Sequence, residues 1–237
     1  MAAAPPAVAE APAPVQALVD ELRQRLAKAQ SDTPGELRAP RLAIPPCPEL
    51  REVPTQLSGE IAQHNVACDA FGADTANLAA DVEALAAAIA GDATGADLAA
   101  RAAEIRAARF DLAKSVLALL AVKSRLCDRL ADVAEKQLEA DAAALDRATR
   151  EVTAALSAAG LGPSDLEKFH RAGTAAVFAQ RVAEAAPVRA AQATHDNTQT
   201  HRDRLRTDAR DARNRHKAAA IERAVVAWKD VVGLLVR

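Results

Sequence analysis

The sequence predicts an all-α protein: an elongated antiparallel coiled coil or helical bundle, with three helices at one end and a two-helix hairpin arm at the other. Three observations lead there. Leu57, Ile61, His64, Cys68, Phe71, Thr75, Leu78, Val82, Leu85 and Ile89 follow an unbroken alternation of steps of four and three. Leu98, Ile105, Leu112, Leu119, Leu126 and Val133 then recur every seven residues, and after a slip Leu138, Leu145 and Val152 do so again. Ten of the twelve prolines lie at or before Pro54, so the remainder is nearly free of the residue that most disrupts a helix. No segment alternates with period two over any length, which leaves no strand to expect.

The elements follow in order. Residues 1–54 read as an Ala/Pro-rich tail with a short amphipathic helix over 15–29 (Val15, Leu18, Val19, Leu22, Leu26) and the linker APRLAIPPCPELREVP, an extended spacer. Residues 55–237 read as the long-helix bundle. Its first helix covers about 55–90 and ends at GDATG, where Thr94 and Asp97 form a capping box for the second. That helix runs to about residue 159, with a stutter near 130–140 where the seven-residue phase slips. GLGP stops it, and Ser164 with Glu167 caps a return helix that reaches about residue 186. Pro187 kinks the return or opens a new segment at its own first turn, and helix continues to Val236.

Composition narrows the class. Among 237 residues there are 63 Ala but four Phe, one Trp and no Tyr. Ala favours helix yet buries little area, so helices packed along their length suit this alphabet better than a compact core. Net charge is −2, which makes any attraction to a polyanion a local matter. Three widely spaced cysteines, Cys47, Cys68 and Cys127, are expected as free thiols in a reducing compartment, and cytoplasmic is the expected location. No apolar run is long enough for a transmembrane span.

Motifs for catalysis or cofactors are missing. There is no phosphate-binding glycine loop, no CxxC and no paired-His zinc signature. Glu167-Lys-Phe-His170 matches half of a di-iron motif but has no second copy. His64 and Cys68 share a helix face, yet two ligands do not make a zinc site, and the pair reads as a polar layer setting register. No catalytic, cofactor-binding or metal residue is therefore assigned, no cofactor is expected, and the protein is expected not to be an enzyme.

Two surfaces remain. Arg202, Arg206, Arg210, Arg213 and Lys217 fall on one helical stripe at steps of 4, 4, 3 and 4. Phosphate contacts need only ordered cations, but the stretch has no aromatic residue for stacking and is interleaved with Asp203, Asp208 and Asp211. Between Glu52 and Ala100 there are eight acidic residues and no Lys or Arg. The stripe is thus expected to pair inside the molecule with the acidic first helix. The second surface is apolar: Val225, Trp228, Val232 and Leu235 near the C-terminus, with Leu161 at the hairpin tip, form a candidate surface for a protein partner or self-association. The expected role is a non-enzymatic scaffold, adaptor or assembly subunit. A nucleic-acid-associated protein using 202–217 is the first alternative, and a membrane-active helical protein the second.

Overall fold

The computed structural model describes residues 17, 20, 42–89, 95–162 and 174–235, with backbone alone at 174–175 and 222–235. Apart from Ala17 and Asp20, both helical, the 15–29 stretch lies outside these residues, as do Thr94, the Ser164–Glu167 box and the Glu167–His170 motif. The protein is all-α, a helical bundle with four helices and no strand among the described residues: α1 (Thr55–Ile89), α2 (Gly95–Ala158), α3 (Thr174–Glu184) and α4 (Ala186–Leu235).

The stop signals act as local chemistry demands. At the end of α2, Gly160 takes φ 73°, its N–H bonds the Ser157 carbonyl at 3.0 Å, and the Leu161 N–H bonds that of Leu156 at 2.9 Å. This pairing satisfies carbonyls the helix end would otherwise orphan, and it needs a left-handed residue that glycine adopts without steric cost. Pro187 lies in the first turn of α4, where its missing N–H removes no helix bond. The break falls at Ala185, whose carbonyl accepts the Arg189 N–H at 2.9 Å and so opens the new segment.

The helices belong to two compact units. One comprises Gly59–Ser124 with residues 42–44 and α4 from Asp211 onward. Here Val82 and Leu85, late in α1, pack on Leu98, Ala102 and Ile105, early in α2. Cys68, Phe71 and Val116 pack against a second cluster of Leu42, Leu119, Leu120 and Ala212. Partners on α2 rise in number as those on α1 fall, so the two helices are antiparallel. Of the seam read from sequence on α1, Leu57, His64, Val82 and Leu85 are buried and Thr75 is exposed.

The other unit comprises Pro45–Ser58 and Arg125–Arg210. Leu145, Ala148, Val152 and Leu156 of α2 pack against Phe178 and Val182 of α3 and Val188 of α4. Leu126, Cys127, Leu130, Ala131 and Ala134 are buried in succession. The apparent slip near 130–140 is therefore carried by a second line of buried positions, Cys127, Ala134 and Asp141, then partly buried Ala148, one residue along from Leu126 and Val133. Alanines and one aspartate occupy much of that line, so it cannot be seen by tracing large apolar residues.

The linker departs from the extended spacer expected of its prolines. Leu42, Ile44 and Leu50 are 4%, 2% and 7% exposed, burial typical of a core. The Leu50 N–H bonds the Cys47 carbonyl at 3.1 Å, closing a turn with Pro48 second, where its fixed φ is pre-set.

Candidate functional site

The basic stripe lies along α4. In the second unit, Arg202 reaches Glu135 at 3.2 Å and its neighbour Asp203 at 2.7 Å. The hydrogen bond to Asp203, with smaller help from Glu135, raises its pKa further. Arg206 reaches Asp132 at 2.9 Å and Asp128 at 3.8 Å. In the first unit, Arg213 donates to the Ser124 hydroxyl at 3.2 Å. Arg210 and Lys217 are exposed, and no ion-pair partner for either is found among the described residues.

These contacts correct the expected pairing: Arg202 and Arg206 meet carboxylates of α2, rather than the acidic α1. The physical reason is spacing. Asp128, Asp132 and Glu135 stand four and three apart on one face of α2, and α4 runs antiparallel along it there, so carboxylates meet the first two cations of the stripe. Net charge per helix hides this, because α2 carries both signs.

His64 and Cys68 also meet. His64 is 4% exposed; its Nε2 lies 2.6 Å from the Leu42 carbonyl and 3.4 Å from Cys68 Sγ, while Nδ1 is buried with no hydrogen-bond partner. Burial pushes the ring's pKa down; the hydrogen bond to the Leu42 carbonyl opposes this, and nearby Lys123 adds a smaller push downward. Burial raises the Cys68 thiol pKa. Among the described residues no group of three or more His, Cys, Asp or Glu is placed to hold a metal ion. What the pair does is fasten the linker, helped by Asn65, whose side-chain amide accepts from the Ile44 N–H at 2.8 Å and donates to its carbonyl at 2.9 Å.

A second fastening, in the other unit, was missed by sequence reading. Gln137 accepts from the Arg51 N–H at 2.9 Å and donates to the Glu49 carbonyl at 2.7 Å, bracketing buried Leu50. Asp141, 3% exposed, pairs with the Arg51 guanidinium and accepts from the Thr198 hydroxyl at 2.7 Å. Gln137 also donates to that hydroxyl at 3.2 Å. His201 Nδ1 lies 3.5 Å from Glu49 Oε2, and its Nε2 is buried without a partner. Asp141 was detectable in one respect: it stands seven residues after Ala134 and seven before Ala148, a core position holding a charge.

Of the apolar surface, Leu161 is 48% exposed, whereas the side chains of Val225, Trp228, Val232 and Leu235 lie outside the described residues. Val66, Val177 and Ile221 are exposed by 68%, 52% and 66%. No helix among the described residues is long and apolar enough to cross a membrane. No protein-family model matches the chain, and no curated protein or solved structure matches it either.

Proposed function

We propose that the protein is a non-enzymatic helical scaffold or adaptor, a subunit that works through protein–protein contacts in the cytoplasm. The observation that carries this reading is the use made of the stripe. Arg202 and Arg206 are engaged by Glu135, Asp132 and Asp128, so the first two cations of the stripe serve to pair the chain's own helices. A polyanion would have to displace those carboxylates before it could use the same cations. Free thiols at Cys47, Cys68 and Cys127 suit a reducing compartment.

The test is chemical cross-linking in the native source followed by co-purification after nuclease treatment. A protein partner, or a second copy of the chain, recovered in fixed ratio supports the scaffold. Recovery that vanishes with nuclease opposes it and favours the nucleic-acid alternative. That second reading rests on Arg210 and Lys217, exposed on the same helix beside exposed Arg204 and Arg215. Under it, a duplex should bind with affinity falling steeply as salt rises.

A further inference from the structure

We propose that Gln137, Asp141, Thr198 and His201 form a docking site for a peptide turn carrying an aliphatic residue followed by arginine. In this structure the chain's own Glu49-Leu50-Arg51 occupies it, and a protein partner presenting the same pattern takes its place. The proposal deepens the scaffold reading, on which it rests, by naming the chemistry of one partner.

The first argument is how the segment is held. Gln137 uses both ends of its amide on main chain, accepting from the Arg51 N–H at 2.9 Å and donating to the Glu49 carbonyl at 2.7 Å. Main-chain bonds of this kind fix register without regard to sequence, while pockets for particular side chains supply the selection. Here the selecting groups are Leu50, 7% exposed, and the arginine that reaches Asp141.

The second argument is asymmetry of burial. The Asp141 side chain is 3% exposed, whereas that of Arg51 is 59% exposed. The carboxylate is built into the helices, its other oxygen held by Thr198 and that hydroxyl in turn by Gln137. The cation arrives from the solvent side on a loop. A preorganised buried anion met by a cation from an irregular segment is the arrangement of receptor and ligand.

The third argument is unused capacity. His201, 9% exposed, has Nδ1 near Glu49 and a buried Nε2 with no partner, so the site holds a polar atom its present occupant leaves unsatisfied. Finally, the occupant is pre-shaped. Pro48 sets the Cys47–Leu50 turn, and Pro45, Pro46 and Pro54 flank it, which lowers the ordering cost of docking for any copy of the segment.

The cis turn competes at an effective concentration on the order of millimolar, so a peptide in trans must be tested where that competition is weakened. The probe is a fluorescent synthetic peptide of residues 45–54, with serine at the Cys47 position, added to full-length chain. Arg51→Ala chain, checked for native helix content, should bind it at least tenfold more tightly than native chain does, read by fluorescence anisotropy. Adding Asp141→Asn to that chain, or placing glutamate at the arginine of the peptide, should each remove most of the gain. Should the Arg51→Ala chain fail to fold, native chain answers the same question. Excess peptide should then speed maleimide labelling of Cys47, located by mass spectrometry, and the glutamate peptide should not. Equal binding of arginine and glutamate peptides, or Cys47 labelling indifferent to both, overturns the docking site. A cross-linked protein partner recovered alongside that failure would leave the scaffold reading standing, so the two can fail separately.

Discussion

Removing Arg51 should cost more stability than neutralising its partner, although the two side chains form one ion pair. The reasoning starts from their unequal burial, 59% exposed for Arg51 and 3% for Asp141. Arg51→Ala strands a carboxylate inside the helices with the Thr198 hydroxyl as its remaining side-chain donor. Breaking a fully buried pair this way costs about 3–5 kcal/mol. Because the guanidinium side of this pair reaches solvent, water relieves part of that, and about 2–3 kcal/mol is expected. Asp141→Asn releases a guanidinium already largely in water, keeps an oxygen for Thr198 to donate to, and loses one charge-assisted bond, so about 1 kcal/mol is expected. The double variant should be more stable than Arg51→Ala by about 1 kcal/mol, since no charge is left stranded. The assay is equilibrium urea unfolding followed by far-UV circular dichroism, with denaturant slopes checked for equality before midpoints are compared. If Asp141→Asn costs as much as Arg51→Ala, or the double variant is the least stable of the three, burial of the carboxylate does not govern this pair.

Three further outcomes are expected. Burial depresses the His64 pKa and Lys123 adds to the effect, together outweighing the hydrogen bond to the Leu42 carbonyl, with Cys68 as the other polar neighbour. Its folded pKa lies below the unfolded one, so its contribution is complete above pH of about 6.5 and is lost as pH falls toward the depressed value, by up to about 1.4 kcal/mol per pH unit. Urea midpoints of native chain should therefore drop more on acidification through that window than those of His64→Gln; parallel curves would dismiss the histidine as the source. Reversing Arg202 and Arg206 to Glu should destabilise by about 1–2 kcal/mol at low salt, and less at roughly 0.5 M. Restoring the pairs with Glu135→Arg and Asp132→Arg should recover most of the loss, whereas a charge reversal on α1 that rescued equally well would contradict the assigned partners. Gly160→Ala should lower stability by about 1–2 kcal/mol, because a β-carbon is strained at φ 73°, and Gly160→Asn should cost less; a neutral alanine in thermal unfolding would mean the turn tolerates another shape.

What the sequence alone determined were the features that depend on near neighbours. A four-three alternation puts Val82 and Leu85 on one face of α1, and a seven-residue recurrence puts Leu98 and Ile105 on one face of α2, and these residues are buried. Gly160 and Pro187 end and restart helices for reasons contained within a turn of chain. Tertiary structure decided everything that depends on which helix lies opposite and in what register. The charges of Arg202 and Arg206 fit carboxylates on either α1 or α2, and each exposed pair is too weak to choose, so the choice follows from the packing that brings Asp128, Asp132 and Glu135 alongside. The linker shows the same limit more sharply. Prolines describe an open chain, yet Asn65 and Gln137 bind its main chain from 21 and 86 residues away, and an amide that reads backbone leaves no periodic mark in a sequence. Asp141 stands at a core position by its spacing, but what makes a charge tolerable there, the Arg51 guanidinium 90 residues earlier, approaches only once the chain has folded.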